Sequence, residues 1–152
     1  MTPRILYKRL ALAEVITWTL LILGMVGKYG FGLDWATTVG GSIHGFVFLC
    51  YTVATIAVWT DKSWSAGTGL MGLASAVIPY ATVPFERSVE RRGLLEGHWR
   101  LGPGGEQSRT LAERTLAFAL RSPVVALVVT LIVVAVVFSL LLVAGKPTEW
   151  FS

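Results

Sequence analysis

The sequence predicts an all-α, polytopic membrane protein: four transmembrane helices, with a long amphipathic loop between the third and the fourth. Three observations predict it. Only 14% of the 152 residues are charged and mean hydropathy is +0.66, whereas a soluble domain carries about 25% charged residues. Four apolar stretches, near residues 10–28, 36–60, 64–84 and 122–144, are long enough to cross a hydrocarbon core of about 30 Å. Tryptophans and lysines stand where such spans would meet headgroups: Trp59, Lys62 and Trp64, then Lys146 and Trp150.

The first stretch follows Arg4, Lys8 and Arg9. A basic start and an apolar run also describe a signal peptide. No small-residue cleavage site follows, so a retained helix is predicted. The second stretch, Thr37 to Thr60, carries Gly40, Gly41, Ser42, His44 and Gly45. In the third, Thr68, Gly72 and Ala76 recur every four residues, and Pro79 and Pro84 kink or end it. Gly41 and Gly45 share a helix face, so they are predicted to pack closely against Gly72 and Ala76. Residues 1–92 then form a three-helix domain, 93–121 a loop, and 122–152 the last span and tail.

The polar segment 85–121 holds Arg87, Arg91, Arg92, Arg100, Arg109, Arg114 and Arg121, interleaved with glutamates. A short amphipathic helix is predicted over Phe85–Leu95, broken by Gly102–Gly105. Thr110 with Glu113 makes a capping box that opens a second helix. Ser122 and Pro123 read as the N-cap and first residue of the fourth span. The net charge is +4, and most of the arginines lie in this segment. It points to headgroups, with Arg87, Arg91, Arg92, Arg109, Arg114 and Arg121 contacting phospholipid or a partner. No nucleic-acid motif is present. One cysteine, Cys50, excludes an internal disulfide.

Glu14 and His44 are the intramembrane ionisable residues. For Glu14 two readings stand: a proton or cation site, or an acid near the interface bonded to the second or third helix. It lies four residues inside Leu10, roughly 6 Å deep. His44 reads as a buried neutral histidine that fixes the second helix against the third, with Ser75 at its level. Counting residues from each interface separates Glu14 and His44 by roughly 10 Å, so they are not expected to pair. Thr55, Tyr51 or Thr68 are the expected neighbours of Glu14. His98, the other histidine, lies in the loop, and no metal or haem ligand set is predicted. No nucleophile–base–orienter set is visible. The chain is read as a non-enzyme without a cofactor of its own, with bound lipid as its ligand.

Three separated motifs carry a family resemblance: AEVITWTLLILGMVGKYG, SIHGFVF and LASAVIPYATVPFER. Over about residues 5–92 the chain resembles a small integral-membrane domain of actinobacteria, named for its His-Gly pair and otherwise of unknown function. The resemblance singles out Ala13, Glu14, Trp18, Gly24, Lys28, Tyr29, His44, Gly45, Tyr51, Ser75, Pro79, Phe85, Glu86 and Arg87. Val15 stands where the family has glycine. A protein resembling the family is an accessory subunit of the respiratory supercomplex that joins a cytochrome bc complex to cytochrome oxidase. The resemblance therefore implies a non-catalytic subunit in a multi-pass cell-membrane protein. The AEVI segment is also similar to small multidrug exporters, in which a first-helix glutamate exchanges protons for cationic drugs. Their loops are short, and His-Gly is foreign to them.

Four spans would put both termini on one face and the 85–121 segment on the other. Counting lysines and arginines near helix ends then favours a cytoplasmic 85–121 segment with both termini outside.

Overall fold

The computed structural model describes residues 1–143, and these are all helical apart from turns and loops. The helices are α1 (Pro3–Phe31), α2 (Asp34–Lys62), α3 (Ala66–Val77), α4 (Thr82–Arg91), α5 (Leu111–Arg121) and α6 (Pro123–Val143). α1 and α2 are long and apolar enough to cross a membrane. A third candidate arises if α5 and α6, bent by 116° at their junction, count as one span. Two to three candidate spans thus stand where the sequence predicts four.

α1 starts where its local chemistry dictates. The Thr2 hydroxyl accepts from the Ile5 N–H, and Pro3 fills the first turn, where no partner for an N–H exists. At the far end Gly32 takes φ +69°. Its N–H donates to Lys28 O, and the Leu33 N–H reaches back to Gly27 O, a paired closure that a left-handed glycine permits. This closure folds the chain back along the last turn of α1 and sets the register of the α1–α2 hairpin. Gly24 then lies on Ala36, and Gly40 on Leu20. A Cβ added at Gly24 would sit 2.6 Å from Ala36 O, and one at Gly40 would sit 2.8 Å from Leu20 O. Glycine is needed at both positions for the backbones to come this close.

The predicted third span divides in two. α3 has 12 residues, about 18 Å, well short of a 30 Å core. Pro79 forces Ile78 into an extended conformation (φ −91°, ψ 120°). At the turn, the Tyr80 hydroxyl meets Thr19 at 3.1 Å, about halfway along α1. α4 then climbs back. The Thr82 hydroxyl donates to Ala11 O at 2.9 Å, and Glu90 pairs with Arg4 at the start of α1. α3 and α4 form a re-entrant hairpin, with Tyr7, Tyr51, Trp64, Ala76, Phe85 and Val89 packed at its centre.

This overturns the predicted placement of the polar segment, which lies at the same end as the N-terminus. Lys62 donates to Glu96 O and His98 O at 2.9 and 2.7 Å, and Trp99 donates to Met1 O at 2.9 Å. The buried Asp61 carboxylate accepts from the N–H groups of Arg100 and Leu101. The Arg100 guanidinium donates to the carbonyls of Asp61 and Thr60, which the end of α2 leaves open. Later in the segment, Thr110 and Glu113 form the predicted capping box of α5. Ser122 closes α5, and its carbonyl accepts the first α6 bond, from Ala126. Ala144, Lys146, Trp150 and Phe151, expected to end and anchor the last span, lie outside the described residues.

Candidate functional site

The α1–α2 interface carries two polar layers. Tyr7 and Glu14 lie seven residues apart on α1, and His44 and Tyr51 seven apart on α2. Seven residues are about two turns, so each pair shares a face.

The first layer is made of hydroxyls. Tyr7 and Tyr51 meet at 2.8 Å, and Tyr7 meets Thr55 at 3.1 Å. Tyr51 also meets Ser75 of α3 at 3.0 Å. Thr55 donates to Tyr51 O and Ser75 to Gly72 O. This layer ties α1, α2 and α3 together. Ser75 also lines an open groove of about 470 Å³ between α3 and α4, with Arg92 among its lining residues.

The second layer holds Glu14, Thr17, Trp18 and His44. Glu14 is fully buried, and His44 nearly so. His44 Nδ1 lies 3.5 Å from Glu14 Oε2 and 3.1 Å from Thr17 Oγ1. The Thr17 hydroxyl donates to the main-chain oxygen of Glu14 at 3.1 Å. Its single proton is thereby used, so the bond to His44 runs from Nδ1–H to Thr17. The imidazole Nδ1 therefore stands beside the carboxyl group while its N–H bonds Thr17. Trp18 packs on the imidazole with ring centroids 4.3 Å apart. Both carboxyl oxygens of Glu14, and Trp18 Nε1, are buried without a hydrogen-bond partner among the described residues.

Several expectations are corrected here. Glu14 and His44 are neighbours, although residue counting set them far apart. The count assumed that the two helices leave the far interface level, whereas the Leu33–Gly27 bond slides α2 back along α1. Ser75 partners Tyr51 rather than His44, and Thr55 partners Tyr7 rather than Glu14. Thr68 bonds Ser65. Gly41 and Gly45 do not face α3: they approach Leu21 of α1 and Phe138 of α6. Gly72 lies against Thr55 of α2 and Phe85 of α4, and Ala76 is fully buried.

Arg87, Arg91, Arg92, Arg109, Arg114 and Arg121 are exposed. Arg92 reaches Thr68 at 3.5 Å, and the Arg91 side chain donates to Arg87 O. The arginine that organises the segment is Arg100, which also pairs with Glu106 and Glu113 at 3.1 and 2.7 Å. The Arg100 bond, with the N–H groups of Arg109 and Thr110, pulls the Glu113 carboxyl down to about 2. Sequence reading passed over this cluster, and over Tyr7 and Thr17. An acid two residues past Trp59, at the end of an apolar run, was the available signal for Asp61. Tyr7 lay outside the apolar run that was taken as the first span.

Residues 5–91 match the family described as a domain of unknown function, DUF3817. The chain belongs to that family. A membrane protein of Bacillus subtilis is 34% identical over 74 residues, 46% of this chain and 73% of that one. A Streptomyces coelicolor protein, also named as a membrane protein, is 34% identical over 91 residues, 57% of this chain but 10% of that one. This chain thus spans about a tenth of the Streptomyces relative. No solved structure matches the chain. With the apolar α1 and α2, these relatives support a membrane location. The family segment coincides with α1–α4, so both polar layers and the re-entrant hairpin fall within it.

Proposed function

We propose that this protein is a non-catalytic accessory subunit of a larger complex in the cell membrane, in particular of the actinobacterial respiratory assembly joining a cytochrome bc complex to cytochrome oxidase. The observation that carries the reading is the contrast between the family body and α6. The body ties its own helices together through buried hydroxyls. α6 lies outside it and is apolar on all sides, with Val124, Leu127, Leu131, Ile132, Val136 and Leu140 exposed. In a membrane only lipid or another subunit can cover such a helix. The Streptomyces relative lends support, since there the matched segment is a tenth of a longer membrane protein. Mild detergent extraction followed by mass spectrometry should recover haem-protein subunits with this chain. Recovery only as a homo-oligomer would remove the proposal.

The α3–α4 hairpin supports a proposal for orientation. Arg4, Lys8, Arg9, Lys62, Arg87, Arg91, Arg92 and Arg100 belong to one end of the molecule, and Lys28 to the other. With the basic residues of the N-terminus and of the polar segment at one end, the count favours both in the cytoplasm. In a Cys50→Ala background, Thr2→Cys and Gly104→Cys should escape an impermeant maleimide on intact cells, while Gly30→Cys reacts. Labelling of the first two would reverse the assignment.

A second reading has its own observation. The buried, unpartnered Glu14 suits a small proton-coupled exporter of cationic drugs. Liposomes holding the protein should then take up protons when drug is added, and Glu14→Gln should abolish the uptake. A wild type with no such uptake ends this reading.

A further inference from the structure

We propose that Glu14 and His44 together bind one exchangeable proton inside the membrane, with Thr17 and Trp18 positioning the imidazole. The proposal goes beyond assembly with partners and does not depend on it.

Three observations carry it. First, Glu14 is completely buried, and neither carboxyl oxygen has a hydrogen-bond partner among the described residues. A bare carboxylate in that position would be strongly disfavoured. Second, His44 Nδ1 stands 3.5 Å from Glu14 Oε2. The Thr17 hydroxyl, already donating to Glu14 O, fixes the proton on Nδ1. Third, Trp18 packs on the imidazole face and limits its rotation.

Charge then sets the stoichiometry. With one proton beyond the Nδ1–H imidazole and the carboxylate, the pair is neutral overall. The proton sits either on the Glu14 carboxyl or on His44 Nε2 as an imidazolium. Without it the pair is −1, and with a second it is +1. Hydrocarbon disfavours both charged states, so one proton is held and its departure to water is the titration. The other titratable groups of the packed interior, among the described residues, are Tyr7 on α1, Cys50, Tyr51 and, at its far end, Asp61 on α2, and Glu86 on α4. α3 and α6 bring none. Glu86 lies toward Lys8, Arg4 and Arg87, and among the described residues His44 is the one basic group paired with the Glu14 carboxyl.

The test uses the full chain in phospholipid nanodiscs and a lipid-soluble carbodiimide, which adds to protonated carboxyl groups. The reagent nitrogen takes up the carboxyl proton, and the oxygen attacks the central carbon, leaving a stable acylurea after rearrangement. Peptide mapping should find the adduct on Glu14, diminishing as pH rises, and Glu14→Gln should lack it. His44→Phe removes the N–H beside the carboxyl, so its labelling should persist to higher pH, by about one unit or more, a tenfold change in proton affinity. Thr17→Val should move the profile less, in the same direction, and gives the same reading if His44→Phe does not fold. A folded wild type with no adduct at any pH overturns the site. A midpoint unmoved by the folded variants overturns the sharing of the proton.

Discussion

The hydroxyl layer and the Glu14–His44 layer lie two helical turns apart on the same two helices, yet they are built in opposite ways. Around Tyr7 and Tyr51 each hydroxyl has a partner between 2.7 and 3.1 Å away. Around Glu14 a carboxyl group and an indole N–H are buried with none among the described residues. The first layer stabilises the fold. The second weakens it, because each buried polar group without a partner costs about 1–3 kcal/mol. A fold that retains such a cluster beside a satisfied one separates the part that holds the helices from the part that has something to bind.

The largest effect should come from closing the approach on which both layers depend. Gly40→Leu places side-chain atoms against the Leu20 backbone, where even a Cβ would lie 2.8 Å from the carbonyl oxygen. Main chain cannot yield as a side chain does, so about 3 kcal/mol of stability should be lost. Gly45→Leu meets only the ring of Phe138, at 3.4 Å from the added Cβ, and should cost much less. Thermal unfolding in detergent distinguishes the two. Equal losses would mean that the α1–α2 register differs from the one described.

Next comes the layer that binds the helices. Tyr51→Phe deletes one hydroxyl and takes partners from both Tyr7 and Ser75. A loss of about 2 kcal/mol is expected. Retention of full stability would show that water takes over the Tyr51 bonds.

The opposite sign is expected one layer away. Glu14→Leu replaces an unpartnered buried carboxyl by a side chain that hydrocarbon accepts, and it leaves the Thr17–His44 bond in place. Stability should rise by about 1 kcal/mol. A fall comparable with that of Tyr51→Phe would mean that Glu14 is held by its surroundings, and the contrast between the layers would fail.

How much of this was legible in the sequence depended on the kind of signal. Apolar periodicity located α1, α2 and α6. The Thr110–Glu113 box located α5, and Glu14 and His44 stood out because charge is rare in such runs. Pro79 was recognised as a break, but hydropathy does not say whether a chain beyond a proline continues across or turns back. Tyr80 on Thr19 and Thr82 on Ala11 decide that, and both are long-range contacts. The Glu14–His44 pairing was hidden for a similar reason. It depends on a slide of α2 along α1 set by the Leu33 N–H and Gly27 O, and composition does not reveal such a slide. Gly24 and Gly40, which make the slide possible, were overshadowed by the regularly spaced Gly41 and Gly45.

The smallest effect belongs to a third polar cluster, which carries full charges yet lies where water reaches. Glu113 accepts from Arg100 and from the N–H groups of Arg109 and Thr110, and these bonds hold its carboxyl at about 2, below the ordinary 4.5. The sign follows from that depression. Above about 4.5 the carboxylate is present in folded and unfolded chains alike, and its bonds contribute fully. As pH falls from there toward 2, the unfolded chain takes up the proton first, and the contribution fades. Glu113→Gln should therefore melt slightly below wild type near neutral pH, and the two should converge as the medium approaches pH 2. The gap should be small because the pair is screened by solvent. A gap that stays constant through the acid range would mean that Glu113 acts by shape in the capping box and not by charge. Glu113 would then resemble the hydroxyl layer, holding the chain by the geometry of its bonds.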